Sequence, residues 1–426
     1  MAIFRSFYNP KLLIKIKQIG LLWFSFLGVS QTLVEQLPPD YIQTVILSTD
    51  GMANNVPIIN KGDVLYLSFD DLRGDESTYY YEIVRAEADW SPTELFHSEY
   101  IEGFNNMRIR QMDNAYGTLQ AYTHYKLQIP NQDTRIKLSG NYLLKVTDED
   151  NQLVFSKRFL VSEVSTAIGV DVRRLRDLSE IDTKQRLSIR VPISGLGIRQ
   201  PDEELSLWVM QNQRWSSLRE VENFDYNINN TLQFEYAPEL VFEGGNEYHY
   251  FDTKDLRSSG GNVAYVLRED LYKSVLYPNY IRAGLVYTYA PDINGRFVVQ
   301  TLNGRLAHTE ADYTKVVFGL AAKPTFPPQE YYVSGSFNYN QPQVQHRLEY
   351  DTTSQHYMVE IPLKQGIYNY KYVVKNPKGQ WVENGVSGNH WETENDYVAL
   401  VYVRRFGERF DRLAGVGYGN SSTITD

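Results

Sequence analysis

The sequence holds no cysteine, so disulfide staples, thiolate metal sites, a cysteine nucleophile and a lipidated N-terminal cysteine are all excluded. It also lacks any basic block. Its 52 acidic side chains outnumber 42 Lys and Arg, giving a formal charge of −10. Neutralising phosphates takes clustered Lys and Arg, so no nucleic-acid partner is expected. Catalytic signatures are missing too: there is no P-loop, no dinucleotide fingerprint and no GxSxG elbow, since Gly385 to Gly388 (GVSG) has the wrong spacing. Seven histidines are scattered through the chain (His97, His124, His249, His308, His346, His356 and His390). None is paired at a metal-ligand spacing such as HExxH, so no metal and no cofactor is expected.

Long hydrophobic runs are scarce. The apolar stretch Ile19 to Val29 falls well short of the ~20 residues that a spanning helix needs, and Arg5, Lys11, Lys15 and Lys17 precede it. This is the pattern of a signal peptide over residues 1–30, with the small residues Gly28 and Ser30 suited to cleavage before Gln31. Export through the inner membrane is expected. Removing four basic and no acidic side chains takes the formal charge from −10 to −14. No direct membrane span is expected in what remains.

Aromatic residues, by contrast, are plentiful. Tyrosine occurs 33 times and aromatics reach 14%, alongside many Val, Ile and Thr, which suit a pleated, half-buried surface. The expected class is mainly β, with several consecutive β-sandwich, immunoglobulin-like domains. Tyr41 to Ser48 and Asp63 to Phe69 alternate with period two and read as strands, and Asp148 to Asn151 reads as a hairpin turn between Asn141 to Thr147 and Leu153 to Val161. Further candidate strands follow from Ile168 onwards, with Arg174 to Ile181 the best short helix. The proline-rich KPTFPP of Lys323 to Pro328 reads as a linker. The expected division is a signal peptide at 1–30, an N-terminal β-sandwich domain at 31–164, a second β-rich domain at 165–322, an immunoglobulin-like early-set domain at 323–404 and a C-terminal tail at 405–426.

The densest feature is Tyr79 to Phe104, where a tyrosine-rich strand leads into Asp89-Trp90 and Ser91-Pro92 and ends on Glu99-Tyr100-Ile101 and Gly103-Phe104. Asp89, Glu94 and Glu99 are the natural suspects for paired-carboxylate chemistry, because glycosidase-type catalysis needs two carboxyl groups facing each other across a cleft. Nothing in the spacing sets two of them face to face. The plainer reading makes Asp89 a turn cap and Trp90 a core residue. Exposed aromatics here suit sugar stacking or a protein interface.

Two resemblances carry the functional expectation. The stretch Val333 to Asn338, with Gly366 to Lys375 and Gly379-Gln380-Trp381, resembles the glycogen-binding early-set modules found beside glucan enzymes. Asn340 stands where those modules usually carry a tryptophan, and Trp381 remains as a stacking candidate. The whole chain, from about Tyr41 to Ser422, resembles the plug protein of the type IX secretion system of Gram-negative bacteria. The residues that carry this are Ala88-Asp89-Trp90, Glu99-Tyr100-Ile101, Gly103-Phe104, Thr123-His124-Tyr125, Asn294-Gly295-Arg296-Phe297, Asp312-Tyr313 and the ending Val401 to Leu413 with Gly415.

That resemblance implies a periplasmic protein, peripheral to the outer membrane through its partner, the very large outer-membrane β-barrel translocon. Its role would be to seal the periplasmic end of the pore without catalysis. Asp89, Trp90, Glu99, Tyr100, Gly103 and Phe104 are the candidate partner-binding or family-signature residues. The competing reading is an exported carbohydrate-binding or glycoside hydrolase accessory protein.

Overall fold

A computed structural model describes residues 32–49, 53, 55–302, 304 and 306–424. The expected signal peptide lies outside them. Period-two alternation gives the first sandwich its two sheets. Ile42–Ser48, Leu65–Asp71, Thr123–Ile129 and Gln111–Asn114 form one, in that order. Ile58–Asn60, Leu153–Ser162, Gly140–Thr147, Tyr80–Ala86 and Met107–Arg108 form the other. Leu65, Leu67 and Phe69, then Tyr125, Leu127 and Ile129, point inwards at every second position.

The hairpin expected at Asp148 to Asn151 is present. Asn151 takes a left-handed φ of 58° and its amide donates to the Asp148 carbonyl at 3.1 Å.

Tyrosine serves as a core residue here because its hydroxyl can be satisfied at the core margin. Tyr79 donates to Asp71 at 2.8 Å, Tyr125 to the Ser77 carbonyl at 2.7 Å and Tyr142 to the Leu138 carbonyl at 2.7 Å. Phe69 stacks on Tyr125 at 5.0 Å and meets Phe155 edge-on at 5.2 Å. Burying such a ring contributes about 1.5–3 kcal/mol.

The second sandwich draws on both ends of the remaining chain. One sheet holds Gly169–Arg174, Lys184–Pro192, Thr231–Phe234 and Tyr226–Ile228, with Val241–Glu243 also on Lys184–Pro192. The facing sheet runs Arg219–Val221, Leu205–Gln211, Asp396–Val403, Arg412–Asn420. All residues from 205 to 211 pair with 397–403, and one core holds Leu207 and Val209 together with Tyr397, Ala399 and Val401.

The third sandwich is inserted between Val241–Glu243 and Asp396–Val403. Gly366–Lys375 is its hub, paired with His249–Asp252, Phe297–Val299, Glu330–Ser334 and Trp381–Val382. Opposite lie Val263–Arg268, Tyr272–Leu276, Tyr313–Ala321, His356–Lys364 and Glu349–Asp351, with Asn279–Tyr280 on Tyr313–Ala321. Tyr368 lies flat between Phe251 and Phe297, at 5.0 and 4.9 Å.

The molecule is thus mainly β and made of several sandwiches. Three finer expectations give way. Sheets cross the division expected near 322: Tyr313–Ala321 and His356–Lys364, on either side of KPTFPP, are hydrogen-bonded neighbours, so that stretch joins strands of one sandwich. Residues 405–426 are not a tail, since Arg412–Asn420 pairs along its length with Asp396–Val403 and residues 404–411 form the loop of that hairpin. Arg174 to Ile181 is not helical: Arg174 ends a strand, 175–177 are irregular and turns begin at 178, where Asp177 caps Ser179 with its carboxylate (2.9 Å to the amide, 2.7 Å to the hydroxyl), a local bond that competes with helix.

Candidate functional site

Several of the motifs singled out in the sequence lie at the seams between sandwiches. At the first seam, strand Tyr80–Ala86 sends Tyr81, Ile83 and Arg85 to the buried side. Arg85 is fully buried. Its guanidinium donates to Glu87 at 3.1 Å, to the Ser139 carbonyl at 3.1 Å and to the carbonyl of Asp411, under the Phe410 ring at 4.8 Å. Glu87 in turn accepts from Arg404 at 2.9 Å and from the Asp411 amide at 2.7 Å. The Asp411 carboxylate accepts from the Ala88 amide and from Arg404 Nε, both at 2.9 Å.

The buried guanidinium is thus paired through both terminal nitrogens, while its Nε has no acceptor. Removing one member would leave the rest desolvated and unpaired.

Beside this network Trp90 is 4% exposed. It packs with Ala86, Ala88 and Leu160 of the first sandwich against Met210, Val398, Leu400, Tyr402 and Leu413 of the second. Its ring meets Trp215 edge-on at 5.1 Å, and the Arg158 guanidinium covers its face at 4.2 Å. Burial draws Arg158 down to about 10. Trp90 sits at φ 66°, a left-handed conformation costing a bulky side chain about 1–3 kcal/mol, which burial of the indole offsets.

At the second seam Asp70, on Leu65–Asp71, is buried between three partners. Lys364 Nζ donates to it at 2.6 Å, the Tyr313 hydroxyl at 2.7 Å, and His124 Nδ1 lies 2.6 Å from its other oxygen. Burial alone would raise the Asp70 carboxyl, but the Lys364 ammonium and His124 outweigh it and hold the pKa below the ordinary value. Lys364 also donates to the His308 carbonyl at 2.8 Å and lies 4.1 Å from the Tyr122 ring centre. Asp312 accepts from the amides of Leu119 and Gln120 at 2.7 and 3.1 Å. Thr123-His124-Tyr125 and Asp312-Tyr313 therefore meet here, first sandwich to inserted one.

At the third seam Asn294 donates to Asp396 at 2.8 Å, and Asn420 donates to the same carboxylate at 2.8 Å. Gly295, at φ 80°, lies where a Cβ would come within 2.7 Å of the Tyr248 ring. Asp292 accepts from the Tyr248 and Asn294 amides at 2.5 and 2.6 Å. Burial, reinforced by the carboxylates of Glu247 and Glu394, still pushes it up to about 7. Glu247, tied to the Tyr287 hydroxyl, is likewise raised by burial. Glu383 goes the other way, held far below the carboxylate range by Lys371 at 3.0 Å and by Arg214.

The six sequence-selected residues fall into distinct places. Asp89 is exposed and caps the turn through Ser91, accepting from its amide at 2.8 Å and its hydroxyl at 2.6 Å. Glu99 accepts from the Phe96 amide at 2.8 Å and pairs with Arg409. Tyr100 is buried in the first core. Gly103 has φ 96°, and a Cβ there would come within 2.1 Å of the Asp133 carbonyl. Phe104 is 68% exposed. The carboxylates of Asp89 and Glu99 are thus each engaged in local caps and contacts. Trp381 is half exposed, edge-on to Tyr332 at 4.9 Å.

Sequence reasoning missed Arg85, Glu87, Asp70 and Lys364. One signal was available: Arg85 shares the inward parity of Tyr81 and Ile83. Among the described residues no group of three or more His, Asp or Glu side chains is placed to hold a metal ion, and no helix is long and apolar enough to cross a membrane.

Fold and seams define a β protein of three sandwiches joined through buried contacts, both polar and apolar. Residues 42–163 match the family model described as Type 9 secretion system plug protein 1st domain, so that segment is similar to the first domain of the type IX secretion plug family. It is also similar to a solved crystal structure of a hypothetical protein from Parabacteroides merdae ATCC 43184, with 28% identity, a TM-score of 0.85 and coverage of 92% of this chain and 100% of that one. No curated protein matches the chain.

Proposed function

We propose that this chain is a non-enzymatic plug, a periplasmic subunit that closes the periplasmic end of the type IX secretion translocon when no substrate is engaged. The observation that carries the reading is the family match over residues 42–163. A second supports it: several of the signature motifs, among them Trp90, His124, Asn294 and Tyr313, lie where one sandwich packs on another. A plug must keep its shape against an opening, and a very large barrel encloses an aqueous lumen that would otherwise leak. Of the signature residues, Phe104 presents a large apolar side chain, 68% exposed, to a partner.

The test is genetic and biochemical. The protein should co-purify with the translocon from solubilised outer membranes, and its deletion should make the outer membrane leaky to large solutes only in cells that assemble the translocon. Normal permeability in such a deletion strain would remove the reading.

A further inference from the structure

A cavity of about 750 Å³ lies in the second sandwich, and one of its lining residues, Asn420, also belongs to the third seam. Consecutive residues 170–174 line one bank. Since successive side chains of a strand point to opposite faces, five in a row mean that the cavity runs along the strand's edge. Gly169–Arg174 is the outer strand of its sheet, and among the described residues no strand pairs with its free side. The opposite bank comes from Arg412–Asn420, the outer strand of the facing sheet.

The two strands touch at one end, where Gly417 and Gly419 let Ile168 and Val170 lie against the backbone; a Cβ at either glycine would come within 2.8 Å or less of them. Beyond Val170 the residues of the first strand line a slot.

The slot is basic in an acidic protein. Arg173 stands directly opposite Arg186 in the antiparallel ladder, a like-charge arrangement that costs stability unless an anion lies between the two. Both line the cavity with Arg176. None of the three has a carboxylate partner among the described residues, and Arg186 Nε is buried with nothing to donate to. The two carboxylates lining the cavity are engaged: Asp171 pairs with Arg190 at 2.9 Å, and Glu235 accepts from the Ser188 hydroxyl at 3.2 Å. Tyr236 and Tyr418, both well exposed, flank the slot.

An unpaired strand edge recognises extended backbone, and guanidinium forks recognise carboxylates. We propose that this slot binds an extended acidic peptide segment of a partner protein, which adds as a strand along Gly169–Arg174 and sets its carboxylates against Arg173, Arg176 and Arg186. In an added strand, alternate residues share a face about 7 Å apart, so acidic side chains at every second position suit the site. A compact oxyanion would fill little of the volume. This inference does not rest on the plug reading.

The test uses the purified protein and a fluorescent ten-residue peptide alternating Glu and Thr, its Gln/Thr counterpart, and sodium pyrophosphate as competitor. The Glu/Thr peptide should bind, lose affinity as salt rises, and protect the amides of residues 170–174 from hydrogen exchange. The double variant Arg173→Gln/Arg186→Gln should weaken binding about tenfold or more while its urea midpoint stays the same or rises, because a like-charge pair is relieved.

Equal binding of the Gln/Thr peptide, absence of amide protection, or a lowered urea midpoint in the double variant would each overturn the proposal. Pyrophosphate binding without peptide binding would make this a small-anion site and overturn it as well. Self-association of the free protein that the double variant abolishes would assign the slot to a second copy instead.

Discussion

Lys364 Nζ lies 2.6 Å from Asp70 Oδ2 although 294 residues separate them in sequence, and both side chains are almost wholly out of water. The pair joins the first sandwich to the inserted one. Breaking a buried pair from one side strands a charge, at a cost of about 3–5 kcal/mol, whereas replacing both partners with apolar or neutral groups costs far less. Asp70→Asn and Lys364→Met should each lower the urea unfolding free energy by about that amount. The double variant should recover a large part of the loss, and a double variant no better than the sum of the singles would mean that the pair is not coupled.

Trp90 makes the corresponding apolar contact at the first seam. Truncating a large buried ring costs about 3–5 kcal/mol through lost transfer energy and the cavity left behind. Trp90→Ala should show that loss in urea melts and should increase hydrogen exchange in residues 397–403, the strand it packs against. The same substitution at Trp381, half exposed on the inserted sandwich, should move stability by less than about 1 kcal/mol.

These two cases mark what the sequence made legible. Strand after strand could be read from alternation, and so could the Asp148 to Asn151 hairpin, because both depend on neighbours a few residues apart. Trp90 and the ending Val401 to Leu413 were each conspicuous. Their meeting was not, since contact between Glu87 and Arg404 is a property of how the first two sandwiches close on one another. The inserted sandwich hid for a similar reason. Lys323 to Pro328 has the composition of a linker, but composition reports only that a segment is not a strand, and here it joins two strands of one core. Asp70 gave no signal at all: an aspartate at the end of a strand reads as a turn residue until Lys364 is placed beside it.

Gly103 tests a smaller unit. Its φ of 96° and the Asp133 carbonyl, 2.1 Å from where a Cβ would stand, forbid a side chain without backbone movement, an effect of about 1–3 kcal/mol. Gly103→Ala should disturb the pairing of Ile101–Gly103 with Thr134–Ile136. The measurement is amide exchange at Thr134 to Ile136, which should rise, while the strands Ile42–Ser48 and Leu65–Asp71 keep their protection.

The third seam makes stability depend on pH in the neutral range. Asp292 has a folded pKa raised to about 7 from an ordinary 3.8, so the folded state binds a proton that the unfolded chain has already released. The stability this lends is fully present below about 3.8 and is lost as pH rises through about 7. Glu247, raised by burial beside it, works in the same direction. Asp70 and Glu383 work in the opposite one: both are held below their ordinary values, and their contribution is present above the unfolded carboxylate range and disappears in acid. The two effects occupy different windows, so they can be separated. Urea midpoints taken between about pH 6 and 8 should fall as pH rises in the native sequence, and Asp292→Asn, which keeps a neutral side chain at all pH values, should flatten that slope while leaving the acid limb in place. A slope unchanged by Asp292→Asn would show that the proton sits elsewhere. Because the seam joins the inserted sandwich to the strand Asp396–Val403 through Asn294 and Asp396, loss of the proton should also appear as faster amide exchange at residues 292–297, before the first core begins to open.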